Sequence, residues 1–291
     1  MNTANPTTDL HEAVLTWYAH HARELPWRSA DATPWAVLVS EIMLQQTPVS
    51  RVLPVYETWM RTWPTPKDLA ADAPGEAVRA WGRLGYPRRA LRLHASAVAI
   101  CDRHDGEVPS EIEELRALPG IGDYTAAAVA SFAFGQAHAV LDTNVRRVIE
   151  RAVGGTEFPP ASLNKPERER AVALLPEDDA PLWSVGVMEL GALVCTAVSP
   201  SCQGCPLQAH CAWYRGGRPP YAGAPRKGQT YAGTDRQCRG RLLAVLRDAP
   251  GTVNAAALVK AWSLDDQRDR ALESLIADGL VVREDDRYRL P

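Results

Sequence analysis

Four of the six cysteines lie in one short stretch, CTAVSPSCQGCPLQAHC. Cys195, Cys202, Cys205 and Cys211 are separated by six, two and five residues. Thiolates this close together can ligate zinc or an iron–sulfur cluster. The wide first gap favours a cluster, because zinc sites more often come as two short pairs, and zinc stays open as the alternative. Either group would clamp a loop that has no core of its own.

Two carboxyl groups lie in settings suited to acid and base chemistry. Asp142, in VLDTNVRRV, has the position of an ordinary helix cap, but Asn144 and the arginines behind it indicate a functional role. Glu41 lies within the apolar helical segment VLVSEIMLQQT. A desolvated glutamate there would have a raised pKa and could hold a proton near neutrality, as a general acid must. A surface glutamate at a helix edge is the alternative.

A glycine turn, LPGIGDYTA, contains Gly120, Gly122 and Tyr124. Glycines permit backbone conformations and close approaches that a side chain would forbid. Successive amides at such a turn, together with the following helix N-terminus, form a concavity suited to a DNA phosphate. A tight turn between helices with no ligand is the alternative.

The elements that must position these residues are helical. Apolar residues recur at helical spacing from the first segment onward, and alternating strand patterns are scarce before residue 230, which predicts an all-α body. The predicted helices span 8–24, 35–46, 48–62, 74–82, 88–103, 110–117, 124–134, a segment that begins at LDTNVRRVIER, 165–175 and 179–194.

The last part of the chain has a different organisation. Residues 216–234 contain 8 glycines or prolines in 19 positions and are predicted to form a linker. Beyond it, helical patterns at 236–248, 254–262 and 265–279 precede an alternating segment that predicts a hairpin about Asp285 and Asp286. We call residues 235–291 the C-terminal module, and its pattern resembles a winged-helix module.

Composition sets only broad bounds. The chain has 291 residues, of which 46% are hydrophobic and 23% charged, and it is long enough for two compact domains. Neither a signal peptide nor a membrane-length apolar run is evident, so a cytoplasmic protein is expected, nucleoid-associated if bacterial. The net charge of −3 does not decide whether nucleic acid is a partner.

The glycine turn, the Asp142 segment and the cysteine intervals resemble the helix-hairpin-helix DNA glycosylase superfamily, in the branch that carries a [4Fe–4S] cluster. The segments LPWR (25–28), SEIMLQQT (40–47), GRLGYP (82–87) and ELGALVC (189–195) look like its adenine glycosylases of the MutY family. The resemblance spans about residues 8–215.

The resemblance implies a fold of two helical lobes with a cleft between them. The glycosylase core would occupy 1–215, with a six-helix barrel lobe at about 30–135 and a cluster lobe from 1–29 and 136–215. The four cysteines would hold a [4Fe–4S] cluster, and the C-terminal module would follow the linker.

The activity that the resemblance implies is monofunctional removal of adenine mispaired with 8-oxoguanine or guanine in double-stranded DNA, during base excision repair. The adenine is flipped from the duplex, and the N-glycosidic bond is hydrolysed. Glu41 would protonate N7 of adenine, and an ionised Asp142 would stabilise the positive sugar or trap it covalently before water attacks. Asn144 and Tyr124 match positions that orient these groups. A monomer is expected.

Other matched positions imply further roles. Relatives that also cleave the DNA strand carry a lysine at position 124, which forms a Schiff base with the sugar; Tyr124 cannot do so. Gln46 and Tyr86 match residues that wedge into the base stack, and Trp27 and Arg28 match the wall of the adenine pocket.

The chain also departs from the family pattern. Val185 stands where a glutamine or glutamate often touches adenine, and Pro87 replaces the second tyrosine of a usual GLGYY segment. The C-terminal module is too short and too helical to be the NUDIX-like domain that grips 8-oxoguanine in many relatives. Two alternatives follow: a glycosylase that removes thymine or uracil from G mismatches, or a catalytically silent DNA-binding protein whose cluster serves structure or redox sensing.

Overall fold

The computed structural model describes residues 6–223 and 231–291 and is mostly helical. The part of the predicted linker at 224–230 lies outside these residues. In the described ranges, no helix is both long and apolar enough to cross a membrane. The α-helices are Pro6–His21 (α1), Pro34–Leu44 (α2), Val49–Thr62 (α3), Pro66–Ala71 (α4), Pro74–Trp81 (α5), Arg88–Arg103 (α6), Ile112–Arg116 (α7), Asp123–Phe134 (α8), Thr143–Ile149 (α9), Lys165–Ala173 (α10), Ala180–Leu193 (α11), Ala212–Arg215 (α12), Asp235–Asp248 (α13), Ala255–Ala261 (α14) and Asp265–Ala277 (α15).

The predicted helices are found close to their predicted positions. Two short helices, α4 and α12, were not predicted, because six and four residues are too few to show a helical period. The start of α4 is nevertheless encoded by a capping box, in which Thr65 accepts from the Asp68 amide and Asp68 accepts from the Thr65 amide.

Two compact units make up the described chain. The first consists of 6–37, 110–113 and 122–223, and the second of 38–109, 114–121 and 231–291. The predicted lobes at about 30–135 and at 1–29 with 136–215 have other boundaries, and that domain division stays a prediction.

The core of the first unit forms where α1, α9 and α11 pack together. Val14, Val148, Val187 and Leu190 are buried there, and Leu207 from the cysteine loop joins the same cluster. The loop is therefore fixed to the helices by a buried leucine as well as by its cysteines.

The core of the second unit is built around tryptophans. The Trp59 ring lies 4.6 Å from the Trp63 ring and 5.8 Å from the Trp81 ring, in edge-to-face contacts. Helix α6 packs against α4 and α5 and buries Leu93 and Ile100.

The C-terminal module has three helices and a small sheet, as a winged-helix-like module requires. Its strands are Val253–Asn254 (β1), Val282–Glu284 (β2) and Arg287–Arg289 (β3), in the antiparallel order β1-β3-β2. The predicted hairpin is β2 and β3, joined by Asp285 and Asp286. Strand β1 was not predicted, since two residues cannot show alternation.

Candidate active site and cysteine loop

Asp142 is the N-cap of α9 in the first unit. Its Oδ1 accepts a hydrogen bond from the Val145 amide at 2.6 Å, and its Oδ2 accepts one from Asn144 Nδ2 at 2.9 Å. Each carboxylate oxygen therefore has a donor that fixes its direction. Asp142 is therefore both the helix cap that its position in the sequence favours and a hydrogen-bond partner of Asn144.

Burial and hydrogen bonding act in opposite directions on Asp142. Burial raises the pKa of this carboxyl group, while the Val145 amide, Asn144 and the positive charge of Arg147 lower it. Burial outweighs the others, and the pKa lies above its ordinary value. The charged form is thus held by specific donors in a site that otherwise disfavours it.

Arg147 connects the Asp142 pair to the cysteine loop. Its Nη2 donates to Asn144 Oδ1 at 2.8 Å and to the Gly191 carbonyl at 2.7 Å, and its Nε donates to the Cys195 carbonyl at 2.8 Å. Sequence reasoning did not assign this residue a role. The available signal was the pair of arginines that directly follows Asp142 and Asn144.

Gly191 allows α11 to approach α9 at Asn144. A Cβ at this position would lie 2.7 Å from the Cβ of Asn144, closer than atoms in proteins approach. The glycine in the ELGALVC segment was also missed as a positioning residue. Its requirement comes from a neighbour far away in sequence.

Trp27 and Arg28 lie in a 3₁₀ turn, Pro26–Arg28, of the first unit. Trp27 is buried, and Arg28 Nη1 donates to Glu189 Oε2 at 2.9 Å. Glu189 is fully buried and also receives Nε and Nη2 of Arg23, at 2.6 and 2.7 Å. Burial opposes its charge, but the hydrogen bonds from Arg23 and the charge of Arg28 outweigh it and lower the pKa of Glu189. Val185 is half-buried on α11.

Tyr124 lies in the first turn of α8 and is half-buried. Gly122, the N-cap of that helix, has an extended backbone and is exposed. Within the described residues, no atom beyond its chain neighbours lies within 4 Å of the place a Cβ would occupy. The fold itself therefore leaves room for a side chain at position 122.

Gly120, in the second unit, is constrained both by its backbone conformation and by the space around it. Its φ is +80°, a left-handed conformation, and a Cβ there would lie 2.7 Å from Cβ of Arg92. The two glycines of the turn thus differ in what they do for the fold.

Glu41 belongs to the second unit and is only 5% exposed. It lies in the interior of α2, where Leu38, Ile42 and Met43 are also buried. It does not lie on an exposed edge of the helix.

Gln46 and Tyr86, both in the second unit, each follow a residue whose carbonyl is bound by Arg89. Both have left-handed backbones, with φ of 54° and 48°. The buried Arg89 donates to the Gln45 carbonyl at 2.5 Å and to the Gly85 carbonyl at 3.2 Å, one residue before each. Its guanidinium also lies 5.3 Å from the centre of the Tyr86 ring. Burial lowers the pKa of Arg89 to about 10.

The four loop cysteines form no disulfide bond, and each is half-buried. Burial, and after it the charges of Cys195, Cys211 and Cys202, raise the pKa of Cys205 to about 12. In the part of the chain that the structure describes, no three His, Cys, Asp or Glu side chains are arranged around one metal ion. Four neighbouring thiols fit a cluster of several irons by donor type.

Arg151 is 1% exposed and binds this loop through its guanidinium. Its Nη1 lies 3.4 Å from Cys195 Sγ and donates to the Thr196 carbonyl at 2.7 Å. Its guanidinium stacks over Trp213 at 4.6 Å. A buried cation beside the sulfurs suits a group that thiolates make negative.

Comparisons with known proteins agree with this geometry. The profile of the HhH-GPD superfamily of base excision DNA repair proteins matches residues 39–172, and the iron–sulfur binding domain of endonuclease III matches 195–211. An adenine DNA glycosylase of Mycobacterium tuberculosis is 53% identical over 281 residues, which are 96% of this chain and 92% of that protein. The chain belongs to the HhH-GPD superfamily. Within this superfamily it is an adenine DNA glycosylase with an iron–sulfur domain.

Solved structures of HhH-GPD glycosylases have the same fold. A thermostable thymine-DNA glycosylase is matched with a TM-score of 0.66 and 28% identity, over 72% of this chain and 97% of that one. A non-covalent endonuclease III–DNA complex is matched with a TM-score of 0.62 and 25% identity, over 74% and 98%. The predictions of family, fold, enzyme class and cluster are thus confirmed, and DNA is a partner of the protein.

Proposed function

We propose that this HhH-GPD protein hydrolyses the N-glycosidic bond of adenine mispaired with 8-oxoguanine or guanine in double-stranded DNA. It would act as a monomer, and in the cytoplasm or nucleoid of a bacterium. The observation that carries the proposal is the Asp142–Asn144 pair at the start of α9, in which both carboxylate oxygens have aimed donors.

Glu41 is the proposed general acid. A carboxyl group in an apolar helix interior can stay protonated near neutrality and give its proton to N7 of adenine. As the proton arrives, the bond between C1′ of the sugar and N9 breaks, and its electron pair leaves with the base. Adenine thereby departs as a neutral molecule instead of an anion.

Asp142 is the proposed partner of the sugar cation. Its negative charge stabilises the positive charge that develops at C1′ when the base departs. Water then adds to C1′ and loses a proton to one of the two carboxylates, which leaves an abasic sugar. Asn144 and Arg147 hold Asp142 in place and resist its neutralisation.

Tyr124 is proposed to limit the reaction to base removal. A phenol has no amine with which to form an imine at C1′, so the strand stays intact after adenine leaves. Gly120 and Gly122 are proposed to admit a phosphate of the DNA backbone to the turn, and Gln46 and Tyr86 to enter the base stack. Trp27 and Arg28 are proposed to form a wall of the adenine pocket.

The iron–sulfur cluster would be held by Cys195, Cys202, Cys205 and Cys211. When bound, it supplies a rigid anchor for the loop. Arg147 ties the Cys195 carbonyl to Asn144, so the loop and Asp142 share one support.

Single-turnover reactions test the proposal. Duplexes carry adenine opposite 8-oxoguanine, G, C or T, and further duplexes carry thymine or uracil opposite G. We expect adenine release opposite 8-oxoguanine and G, with strand breakage only after alkali treatment. Faster release of thymine or uracil would favour the alternative base specificity, and no release from any duplex would favour a silent DNA-binding protein.

A further inference from the structure

The Tyr86 loop, residues 82–87 between α5 and α6, is contacted at both ends by the C-terminal module. On one side, Arg247 of α13 donates from Nη1 to the Gly82 carbonyl. On the other side, Arg88 Nη1 pairs with Asp278 Oδ1 at 3.1 Å, directly after the loop. The loop is therefore bracketed by two polar contacts from one module.

These two contacts belong to a docked surface. Arg79 of α5 donates from Nη1 to the carbonyls of Arg247 and Ala249, the latter at 2.9 Å. The arginines at 79 and 247 thus each bind backbone on the opposite side of the contact. Asp278 is itself held by Arg239 Nη2 at 2.6 Å, so the partner of Arg88 is fixed in place.

A glycine on α5 shows how closely the module approaches. A Cβ at Gly75 would lie 2.3 Å from the Pro291 carbonyl oxygen and 3.0 Å from Cβ of Leu290. Gly75 is buried, and Leu290 is 6% exposed. A contact that requires a glycine is specific to these two surfaces.

The Tyr86 loop combines an exposed side chain with a left-handed backbone. Tyr86 is 53% exposed and has a φ of 48°, a left-handed conformation that a residue with a side chain seldom adopts. From the two flanking helices, Arg89 of α6 and the Trp81 indole of α5, the latter at 2.9 Å, donate to the Gly85 carbonyl. The module supplies the contacts at the two ends.

We propose that the C-terminal module is a positioning element for the Tyr86 loop. By fixing Gly82 and Arg88, it holds the exposed Tyr86 ring ready to stack against a DNA base. The module would then act on mismatch binding through Tyr86, without touching the reacting atoms. This inference rests on the proposed function, in which Tyr86 enters the base stack.

The first measurement uses the full chain without DNA. Hydrogen exchange of the backbone amides in residues 82–88 is compared between wild type, Arg247→Ala and Arg241→Ala. Arg241 is an exposed residue of the same helix and serves as the matched control. We expect exchange about tenfold faster in Arg247→Ala and unchanged in Arg241→Ala. Equal exchange in all three proteins would overturn the proposal, whatever the protein does to adenine.

The second measurement is a double-mutant cycle on binding to a duplex with an 8-oxoguanine mispair. We expect Arg247→Ala to weaken binding about tenfold and to have almost no effect when Tyr86→Ala is already present. The single-turnover rate at saturating protein should change less than twofold. Arg247→Lys, which keeps a donor for the Gly82 carbonyl, should bind with intermediate strength. Fully additive losses from Arg247→Ala and Tyr86→Ala would show that the module acts elsewhere.

Discussion

The surroundings of the two candidate catalytic carboxyl groups differ in kind. Asp142 begins a helix and has an N–H donor on each oxygen, while Glu41 lies within a helix between buried aliphatic residues. The donors favour the charged form of Asp142 but do not outweigh its burial, which raises its pKa, while burial at Glu41 favours the neutral acid. Both side chains end in a carboxyl group. The difference between their proposed roles, stabiliser of the sugar cation and general acid, would therefore come from the local structure around each.

Asp142→Asn tests the charged member of the pair. Asparagine can still cap α9, but it carries no charge to stabilise the sugar cation. We expect base release to fall by about 10³-fold while mismatch binding persists. Single-turnover cleavage measures this, with Asp123→Asn, an exposed carboxylate of α8, as the control. A variant within tenfold of wild type would remove Asp142 from the chemistry.

Glu41→Gln tests the neutral member. Glutamine fills the same space but has no carboxyl proton to give to N7, and we expect a loss of about 10²-fold in base release. The exposed Glu57 of α3 provides the control substitution Glu57→Gln. Should a duplex whose base needs no protonation to leave be cleaved equally slowly, the loss would reflect folding and not acid catalysis.

Arg147→Lys tests whether the function of Asp142 depends on the contact between Arg147 and Asn144. Lysine keeps the positive charge but cannot bind Asn144, Gly191 and Cys195 together. We expect base release to fall by about tenfold, from misplacement of Asp142. The control is Arg146→Lys on the same helix, which affects the ion pair with Glu167 of α10. Equal losses in both variants would indicate a general effect on stability.

The two glycines of the turn, one in each unit, should differ in how much their replacement lowers stability. Gly120→Ala should lower the free energy of unfolding by about 1–2 kcal/mol, because φ is +80° and the methyl group meets Arg92. Gly122→Ala should change it by less than about 0.5 kcal/mol, since nothing described blocks the methyl group. Urea unfolding measures both. If Gly122→Ala nevertheless weakens DNA binding, that glycine serves the ligand and not the fold.

The smallest expected effect is a dependence of stability on pH. The pKa of Asp142 is raised by burial, so its protonated form favours folding below the ordinary aspartate pKa, and this contribution is lost as pH rises through the folded-state value. Asp142→Asn does not titrate there. Its stability relative to wild type should therefore increase with pH across that range, as urea midpoints at several pH values would record. A flat difference would contradict the raised pKa.

Local features of the fold could be predicted from sequence. The apolar period placed most of the helices, and Asp142 could be recognised as a helix cap because its partner, Val145, is three residues away. The hairpin about Asp285 and Asp286 was visible in the alternation of its strands. Each of these depends on neighbours along the chain.

Contacts that join distant segments could not be predicted. Arg147 reaches Cys195, and Arg89 reaches Gln45, across more than 40 residues. An arginine in a helix is ordinarily a surface residue, and no periodicity shows which carbonyl it will meet. Glu189 likewise gave no sign that it would hold both Arg23 and Arg28.

The contacts of Arg89 link Gln46 and Tyr86, the two residues proposed to enter the base stack. Because a single guanidinium holds the chain beside both Gln46 and Tyr86, neither residue can shift without disturbing the other. We therefore expect the spacing between these two side chains to be fixed. A DNA duplex that is too tightly wound or too stiff to open to that spacing would not be bound, whatever its base sequence.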